Sequence, residues 1–310
     1  MKKLLGLALI GCWTQLVAQT PIAITIDDFP LISLDKSAVN QTYVVEQLIS
    51  HSKRFSVPAI VFVNESKLYV DSELNEFKLS MLQEWAENGL ELGNHGYAHL
   101  NYSRTDTTTY FADLIKGEIH SKRISESNGL IYQYYRHPYL HAGETAEKEI
   151  ALERFLVRNG YEEAPVTIDN SDWIYSRAYD LARKEDNQTL MDSIGTSYVQ
   201  YMLDKTEYFQ LKSRELLGRD VKQILLLHTN NINADYLDDL LAALLERGNS
   251  FVTISEALQD PAYQLNDHIA KPWGISWVHR WSRNMEVDKS FYRGEPPCPK
   301  WIREYSGLSE

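Results

Sequence analysis

Cysteine is scarce in this chain, which has only Cys12 and Cys298 among its 310 residues. Only Cys298 remains if the N-terminal segment is removed, so a zinc site built from several thiolates is excluded. If the N-terminal segment is removed, Cys298 also lacks a partner for an intramolecular disulfide. A chain of this length can bury a large hydrophobic core instead, and its 44% hydrophobic residues are ordinary for a soluble globular protein.

Positive charge is scarce as well. The chain has 31 lysines and arginines against 43 aspartates and glutamates, and its formal net charge is -12. Nucleic-acid binding needs a basic surface that displaces counterions from phosphates, so we expect no nucleic-acid partner. Tight docking on an anionic membrane is disfavoured for the same electrostatic reason. The sequence also has no internal repeat and no low-complexity run.

Long apolar runs are missing after the first twenty residues, so we expect no membrane-spanning segment there. The N-terminal run, MKKLLGLALIGCWTQLVAQT, has a basic start, an apolar stretch and small residues near Ala18. This pattern predicts a signal peptide over residues 1–19, cleaved near Ala18 or Gln19, and hence a periplasmic or secreted protein. Alternatively, LIGC at 9–12 is a bacterial lipobox, and Cys12 is the lipidated first residue of an exported lipoprotein.

The rest of the chain alternates between short apolar segments and longer segments typical of helices. Strands are predicted at 22–27, 57–63, 90–94, 130–136, 164–169, 223–228 and 250–254. Helices are predicted at 36–56, 74–88, 107–126, 144–160 and 233–247, and residues 177–217 are predicted to form one or two helices. Such alternation is typical of parallel βαβ units, and about seven of them predict an α/β fold, a distorted (β/α) barrel. An open doubly wound sheet is the alternative.

The predicted barrel covers residues 20–260, and a Trp- and Pro-rich block at 261–310 is expected to pack on it as a C-terminal extension. Within this block, Trp273, Trp277 and Trp281 recur every four residues. That spacing predicts a helix that packs an aromatic stripe on the barrel. The alternative interpretation is a wall or lid that stacks on sugars.

Polar side chains follow the predicted strands at the point where each strand ends. They are Asp27 and Asp28, His95, Arg136, Asp169 to Asp172, and His228. The carboxyl ends of the strands of a β/α barrel meet on one face, and that face carries the chemistry in enzymes of this architecture. The positions of these residues therefore favour the barrel over the open sheet.

The first two polar clusters together could hold a metal ion. Asp27 and Asp28 lie at a strand end, where the chain turns and both carboxylates can reach one cleft. One of them could bind a cation while the other takes a proton; a solvated turn is the alternative. His95 and His99 are four residues apart in HGYAH. With one carboxylate they would complete the three-ligand set of a catalytic zinc site, although two unrelated histidines are the simpler reading.

A second histidine pair, His137 and His141, lies in RHPYLH. Pro138 fixes its own φ and restrains the residue before it, so a regular turn that carries both rings on one face is not expected. These two are therefore interpreted as loop histidines that line a cleft, not as ligands.

Two further polar residues end apolar strands. Arg136 could hold a carboxylate through two hydrogen bonds. His228 ends the strand QILLLH, and Asp172 could orient its ring and favour its protonated form. A histidine that is simply buried and satisfied is the alternative for His228.

Five short motifs occur in order along residues 22–258: DDFP, HGYAH, RHPY, DNSDW and LLHTN. Together they resemble the motifs of polysaccharide deacetylases of the NodB-homology type, carbohydrate esterase family 4. Each motif is weak alone, and their order makes the set specific. The resemblance implies a distorted β/α barrel and one divalent metal ion, most commonly zinc.

The resemblance also implies roles for individual residues. The implied metal ligands are Asp28, His95 and His99. The implied catalytic residues are Asp27 as general base, Arg136 holding Asp27, His228 as general acid and Asp172 supporting His228. The residues implied to bind the oxyanion or the substrate are Tyr139, through its backbone N–H, and Trp173.

The chain departs from the family pattern at three positions near these motifs: Phe29 and Leu140 stand where Gly is usual, and Gly96 where Ser or Thr is usual. All residues assigned to the chemistry are kept. We therefore expect metal-dependent hydrolysis of the acetyl group of an N-acetylated carbohydrate. The alternatives are a metal-dependent C–N hydrolase that acts on a small non-sugar amide, and a catalytically silent carbohydrate-binding protein.

Overall fold

The computed structural model describes residues 19–310. The predicted signal peptide, apart from Gln19, and the alternative lipidation site at Cys12 lie outside the described residues. Among the helices of the described part, none is both long and apolar enough to span a bilayer.

A mostly parallel, curled sheet forms the centre of the fold. The strands are Thr20–Phe29 (β1), Ile60–Val63 (β2), Tyr69–Val70 (β3), Glu73–Leu74 (β4), Glu91–Asn94 (β5), Tyr134–Tyr135 (β6), Glu162–Glu163 (β7), Gln223–His228 (β8) and Asn249–Phe251 (β9). The main sheet has the order β7-β6-β5-β2-β1-β8, while β9 pairs with the beginning of β1 and β3 forms a hairpin with β4. β1 is buried along most of its length because parallel strands lie on both sides of it.

The predicted distorted (β/α) barrel is confirmed as a half-barrel of parallel strands. Its far edge curls toward β8, where Ile168 pairs with Leu225. The N–H groups of Thr167 and Ile168 both donate to the carbonyl of Ile224. This single bridge replaces the strand predicted at 164–169.

Helices surround the sheet. They are Ala38–Arg54 (α1), Glu76–Glu87 (α2), Thr107–Lys116 (α3), Ile119–Ser127 (α4), Ala146–Arg158 (α5), Asp172–Lys184 (α6), Gln188–Leu217 (α7), Asn231–Glu246 (α8), Ile254–Leu258 (α9), Trp277–Asn284 (α10) and Lys300–Ser306 (α11). Side-chain caps mark several starts; for example, Ser37 accepts from the N–H of Asn40 at the start of α1.

Two further predicted elements differ from the structure. The single helix predicted at 107–126 is broken into α3 and α4 at Gly117. A Cβ at Gly117 would lie 2.6 Å from the backbone of Gly96 and Tyr97, so the break lets the helix approach the loop that carries His95 and His99. The strand predicted at 130–136 is reduced to β6, which has two residues.

The C-terminal extension packs on the helices of the barrel, with α10 against α7 and α11 against α6. Trp277 and Trp281 are buried, with 2% and 1% of their surface exposed, whereas Trp273 is 37% exposed. Two of the three tryptophans therefore pack into the core, and the third lies before α10 at the surface.

Candidate active site

The end of β1 places two carboxylates in one cleft. Asp27 pairs in register with His228 of β8, and Asp28 has a left-handed backbone with φ of 68°. This turn changes the direction of the chain, so neighbouring side chains no longer point to opposite faces. Phe29 is fully buried and packs on Trp85, with ring centroids 5.7 Å apart. The extra bulk at this position therefore enters the core and not the cleft.

Asp28, His95 and His99 form a group that could hold a metal ion, because their ligand atoms lie within 4.8 Å of one another. Nδ1 of His95 donates to the carbonyl of Arg136 at 2.8 Å, which leaves the Nε2 lone pair free for a cation. Burial lowers the pKa of both histidines, so both are neutral, as metal ligands must be. The donor set fits one divalent ion.

Lys67 lies beside this group and was missed by the sequence analysis. Its ammonium donates to the carbonyl and to Oδ1 of Asp28, both at 2.8 Å. Burial opposes ionisation of Asp28, but Lys67 and the two histidines hold the pKa of Asp28 far below its usual range. Lys67 follows β2 closely, and this position at a strand end was the available signal.

Asp27 is buried and only weakly paired. Burial raises its pKa to about 6, against the opposing effect of Arg136. Nη1 of Arg136 lies 3.4 Å from Oδ1 and 3.5 Å from Oδ2 of Asp27, and Nε2 of His95 lies 3.6 Å from Oδ2. Within the described residues Oδ1 makes no hydrogen bond. A buried carboxylate oxygen with no bonded partner can accept a proton from a water in the cleft.

Arg136 is fully buried and held by the strand ends around it. Its Nε donates to the carbonyl of Ala164 at 2.7 Å, and its Nη2 donates to Oγ1 of Thr25 at 2.9 Å. These bonds leave Nη1 directed at Asp27. Arg136 therefore reaches the Asp27 carboxylate through Nη1 alone, with long distances to both oxygens, because its other donors bind neighbouring strands.

Asp172 and His228 form a tight pair. Oδ1 of Asp172 accepts from Nδ1 of His228 at 2.5 Å, and Oδ2 accepts from the backbone N–H of His228 at 2.9 Å and from Nδ2 of Asn233 at 3.2 Å. Burial alone would lower the pKa of His228, but the Asp172 carboxylate outweighs it and raises this pKa to about 9. His228 is therefore protonated at neutral pH. Asn233, on α8, was missed because nothing in its local sequence signals this contact.

Two exposed aromatic residues are next to residues of the site, Tyr139 in space and Trp173 along the chain. Tyr139 is 55% exposed, has a left-handed backbone with φ of 58°, and packs its ring on that of His99 with centroids 4.4 Å apart. Trp173 is the second residue of α6, directly after Asp172, and 39% of its surface is exposed. Both present apolar rings to solvent next to residues of the site.

The second histidine pair is engaged elsewhere. His137 is buried against the carboxylate of Glu163, and Nδ1 of His141 contacts Oδ1 of Asn101 at 2.9 Å. Neither belongs to the group that could hold a metal. Gly96, which replaces a usual hydroxyl residue, has φ of 72°, a conformation that favours glycine.

Three solved structures illustrate the similarity of this fold to known proteins. A mutant of BA3943, a CE4 family pseudoenzyme from Bacillus anthracis, is 15% identical with a TM-score of 0.50; 78% of this chain and 68% of that chain are covered. The Bc1960 peptidoglycan N-acetylglucosamine deacetylase is 18% identical, with a TM-score of 0.49 and coverages of 77% and 88%. The peptidoglycan deacetylase PdaC from Bacillus subtilis is 20% identical, with a TM-score of 0.48; 77% of this chain and 90% of that chain are covered. At 15% identity, the BA3943 match supports the fold alone.

The match to a protein-family model is more specific than the similarity of the fold. No curated protein matches the chain. The family model described as "Polysaccharide deacetylase" matches residues 16–153, a range that contains the motifs DDFP, HGYAH and RHPY. The motifs DNSDW and LLHTN lie beyond this range, and the fold brings Asp172 and His228 to the same cleft. The resemblance found in the sequence is thus confirmed by the family model over residues 16–153, somewhat less than half of the chain.

Proposed function

We propose that this protein is a metal-dependent deacetylase that hydrolyses the acetyl group of an N-acetylated carbohydrate and releases acetate. One observation carries the proposal. A single cleft at the strand ends joins a ligand set for one divalent ion, a carboxylate oxygen with no hydrogen-bond partner among the described residues, and a histidine kept protonated by a carboxylate. Fold similarity alone would not suffice, since BA3943 shares the fold and is described as a pseudoenzyme.

Asp28, His95 and His99 would hold the divalent ion, most simply zinc. When bound there, the ion supplies Lewis acidity, which polarises the acetamide carbonyl and lowers the pKa of the attacking water. Asp27 accepts the proton of that water through its free carboxylate oxygen. Arg136 keeps the Asp27 carboxylate in place, because its other donors are tied to Ala164 and Thr25.

The second half of the reaction needs an acid and an oxyanion donor. The amine that leaves an acetamide is too basic to depart unprotonated, so a proton donor must face it. His228 carries that proton on Nε2, since Nδ1–H is bound to Asp172. The backbone N–H of Tyr139 would donate to the developing oxyanion. The exposed ring of Trp173 would contact the sugar.

Acetate release from chitin oligomers, peptidoglycan fragments and simple acetamides tests the proposal. We expect release from a sugar substrate, loss of that release on chelation, and recovery when zinc is added back. The Asp27→Asn variant should bind zinc but release almost no acetate. Release from simple acetamides alone would favour the small-amide hydrolase. Bound zinc and bound oligosaccharide without any acetate would favour a silent binding protein.

We also propose that the protein is exported, on the basis of the N-terminal sequence. Cell fractionation and N-terminal sequencing of the mature protein test this. A new N-terminus near Gln19 supports signal-peptide cleavage, and a lipidated Cys12 supports the lipoprotein alternative. A cytoplasmic protein with an intact N-terminus would contradict both.

A further inference from the structure

The turn that carries the proposed oxyanion donor is unusual in its backbone. Tyr139 and Leu140 are consecutive residues with φ of 58° and 55°, a left-handed conformation that residues with a Cβ adopt rarely. Such residues persist only where the surrounding structure holds them. Leu140 also stands where the family often has Gly, which adopts this conformation without steric cost. Something outside the turn must therefore stabilise it.

The C-terminal extension makes the contacts that hold this turn. Nη2 of Arg280, on α10, donates to the carbonyl of Leu140 at 2.7 Å. Gly274 packs its backbone directly on the turn: a Cβ at this position would lie 2.1 Å from the carbonyl oxygen of Tyr139 and 2.6 Å from Cβ of Leu140. Only a glycine allows this approach, and Leu140 is 6% exposed beneath it.

The same segment is anchored on the barrel. Oγ of Ser276 donates to the carbonyl of Thr167 at 2.6 Å, and the N–H of Trp277 donates to the carbonyl of Val166 at 2.7 Å. The guanidinium of Arg280 lies over the ring of Trp277 at 4.1 Å and is 1% exposed. The segment therefore links the Tyr139 turn to the chain that closes the sheet beside β8.

We propose that Gly274 and Arg280 are positioning residues that hold the backbone N–H of Tyr139 in its working orientation. The C-terminal extension would thus be part of the catalytic apparatus, although it lies outside the region matched by the family model. Neither residue touches the substrate; both act through the Tyr139–Leu140 turn. The inference rests on the proposed function for its kinetic test, but its structural test is independent of it.

The experiment compares Gly274→Ala, Arg280→Met and Arg280→Lys with the control Arg283→Met. Arg283 is on the same helix and covers Trp273, with a distance of 5.0 Å to the ring centroid, but it has no hydrogen bond to the Tyr139 turn among the described residues. We expect Gly274→Ala and Arg280→Met to lower kcat by about 10- to 100-fold, because small displacements of a transition-state donor have effects of that size. KM and zinc affinity should stay at wild-type values. Arg280→Lys should recover part of kcat, and Arg283→Met should match wild type.

Hydrogen exchange of residues 138–141, measured by mass spectrometry on the full chain, provides the structural test. Faster exchange in Gly274→Ala than in both wild type and Arg283→Met supports the proposal. Because this result comes from Gly274→Ala, the test remains decisive even if Arg280→Met unfolds. Wild-type exchange together with wild-type kcat in Gly274→Ala would overturn it. So would a loss of zinc affinity as large as the loss of kcat, since the metal site would then be the part that is disturbed. If wild type releases no acetate from any substrate, the proposed function fails, and hydrogen exchange alone decides whether the extension holds the turn.

Discussion

Replacing Asp172 by asparagine removes the carboxylate that faces His228 and keeps a side chain of the same size. The pKa of His228 is about 9 because the attraction of Asp172 outweighs burial. Without Asp172, burial would bring this pKa back toward the ordinary value of about 6.5. Asp27 and Asp28 also raise the pKa, and a bound cation would offset part of their effect. The quantity to measure is therefore the difference in the pKa of His228 between wild type and Asp172→Asn.

The direction of the pH dependence follows from the role of His228 as the general acid. A raised pKa keeps the donor protonated, so on the alkaline side activity is present below pH 9 and is lost as pH rises through about 9. On the acid side, activity falls as Asp27 becomes protonated below about pH 6. At pH 8 the protonated fraction is about 90% for a pKa of 9 and about 3% for a pKa of 6.5, a roughly 30-fold difference. At pH 6 the two fractions differ by less than about twofold. The alkaline limb of kcat should therefore move down by about 2.5 pH units in Asp172→Asn.

The assay is acetate release at saturating substrate from pH 5 to pH 10. Asp169→Asn is the matched control, because Asp169 lies in the same motif and makes no hydrogen bond to His228 among the described residues. Its alkaline limb should move far less than that of Asp172→Asn, because the electrostatic effect of Asp169 on His228 is smaller than that of Asp172. An unshifted alkaline limb in Asp172→Asn would refute the assignment of His228 as the acid supported by Asp172.

Three further predictions concern the metal site and the core. His95→Ala should lose bound zinc, as measured by metal analysis, whereas His141→Ala should retain about one ion per chain; equal zinc in both would contradict the ligand set. Lys67→Met should raise zinc affinity roughly tenfold in a chelator competition, because the substitution removes a positive charge beside the metal site. Weaker zinc binding in this variant would mean that Lys67 instead orders the Asp28 carboxylate. Phe29→Ala should lower the free energy of unfolding, measured in urea, by about 3–5 kcal/mol. Phe77 is partly exposed, so Phe77→Ala should lower that free energy far less. A small effect at Phe29 would place its ring outside the core.

Much of the fold could be predicted from periodicity. The strands β1, β2, β5 and β8 were expected within a few residues of their observed bounds, because each is a short apolar run bounded by polar or turn residues. The prediction was less accurate where tertiary contacts decide. The chain at 164–169 is apolar enough for a strand, yet only Ile168 meets a neighbour in register. The helical pattern at 107–126 gave no sign of a break, because the break at Gly117 reflects the close approach of the loop at Gly96.

The candidate site was predicted largely from residue types at strand ends. His95, His99 and Asp28 were grouped from the motifs, and the fold brings their ligand atoms together. Sequence reasoning did not find Lys67 or Asn233, because both reach the site only through the fold. The position of Lys67 after β2 was the one available signal, and Asn233 had none. The role of the extension was also out of reach, since the contact of Arg280 with Leu140 spans 140 residues.

The sequence by itself determined the class of chemistry that this protein can carry. Acids, imidazoles and an arginine follow apolar strands, and parallel strands must end on the same side of a sheet whatever the details of packing. Only the tertiary structure decided how those groups act on one another. It left Oδ1 of Asp27 without a hydrogen bond to any of the described residues, bound Asp172 to the protonated His228, and directed Phe29 into the core and not into the cleft. Such properties depend on burial and on distances between residues far apart in the chain, and neither is encoded in any local stretch of sequence.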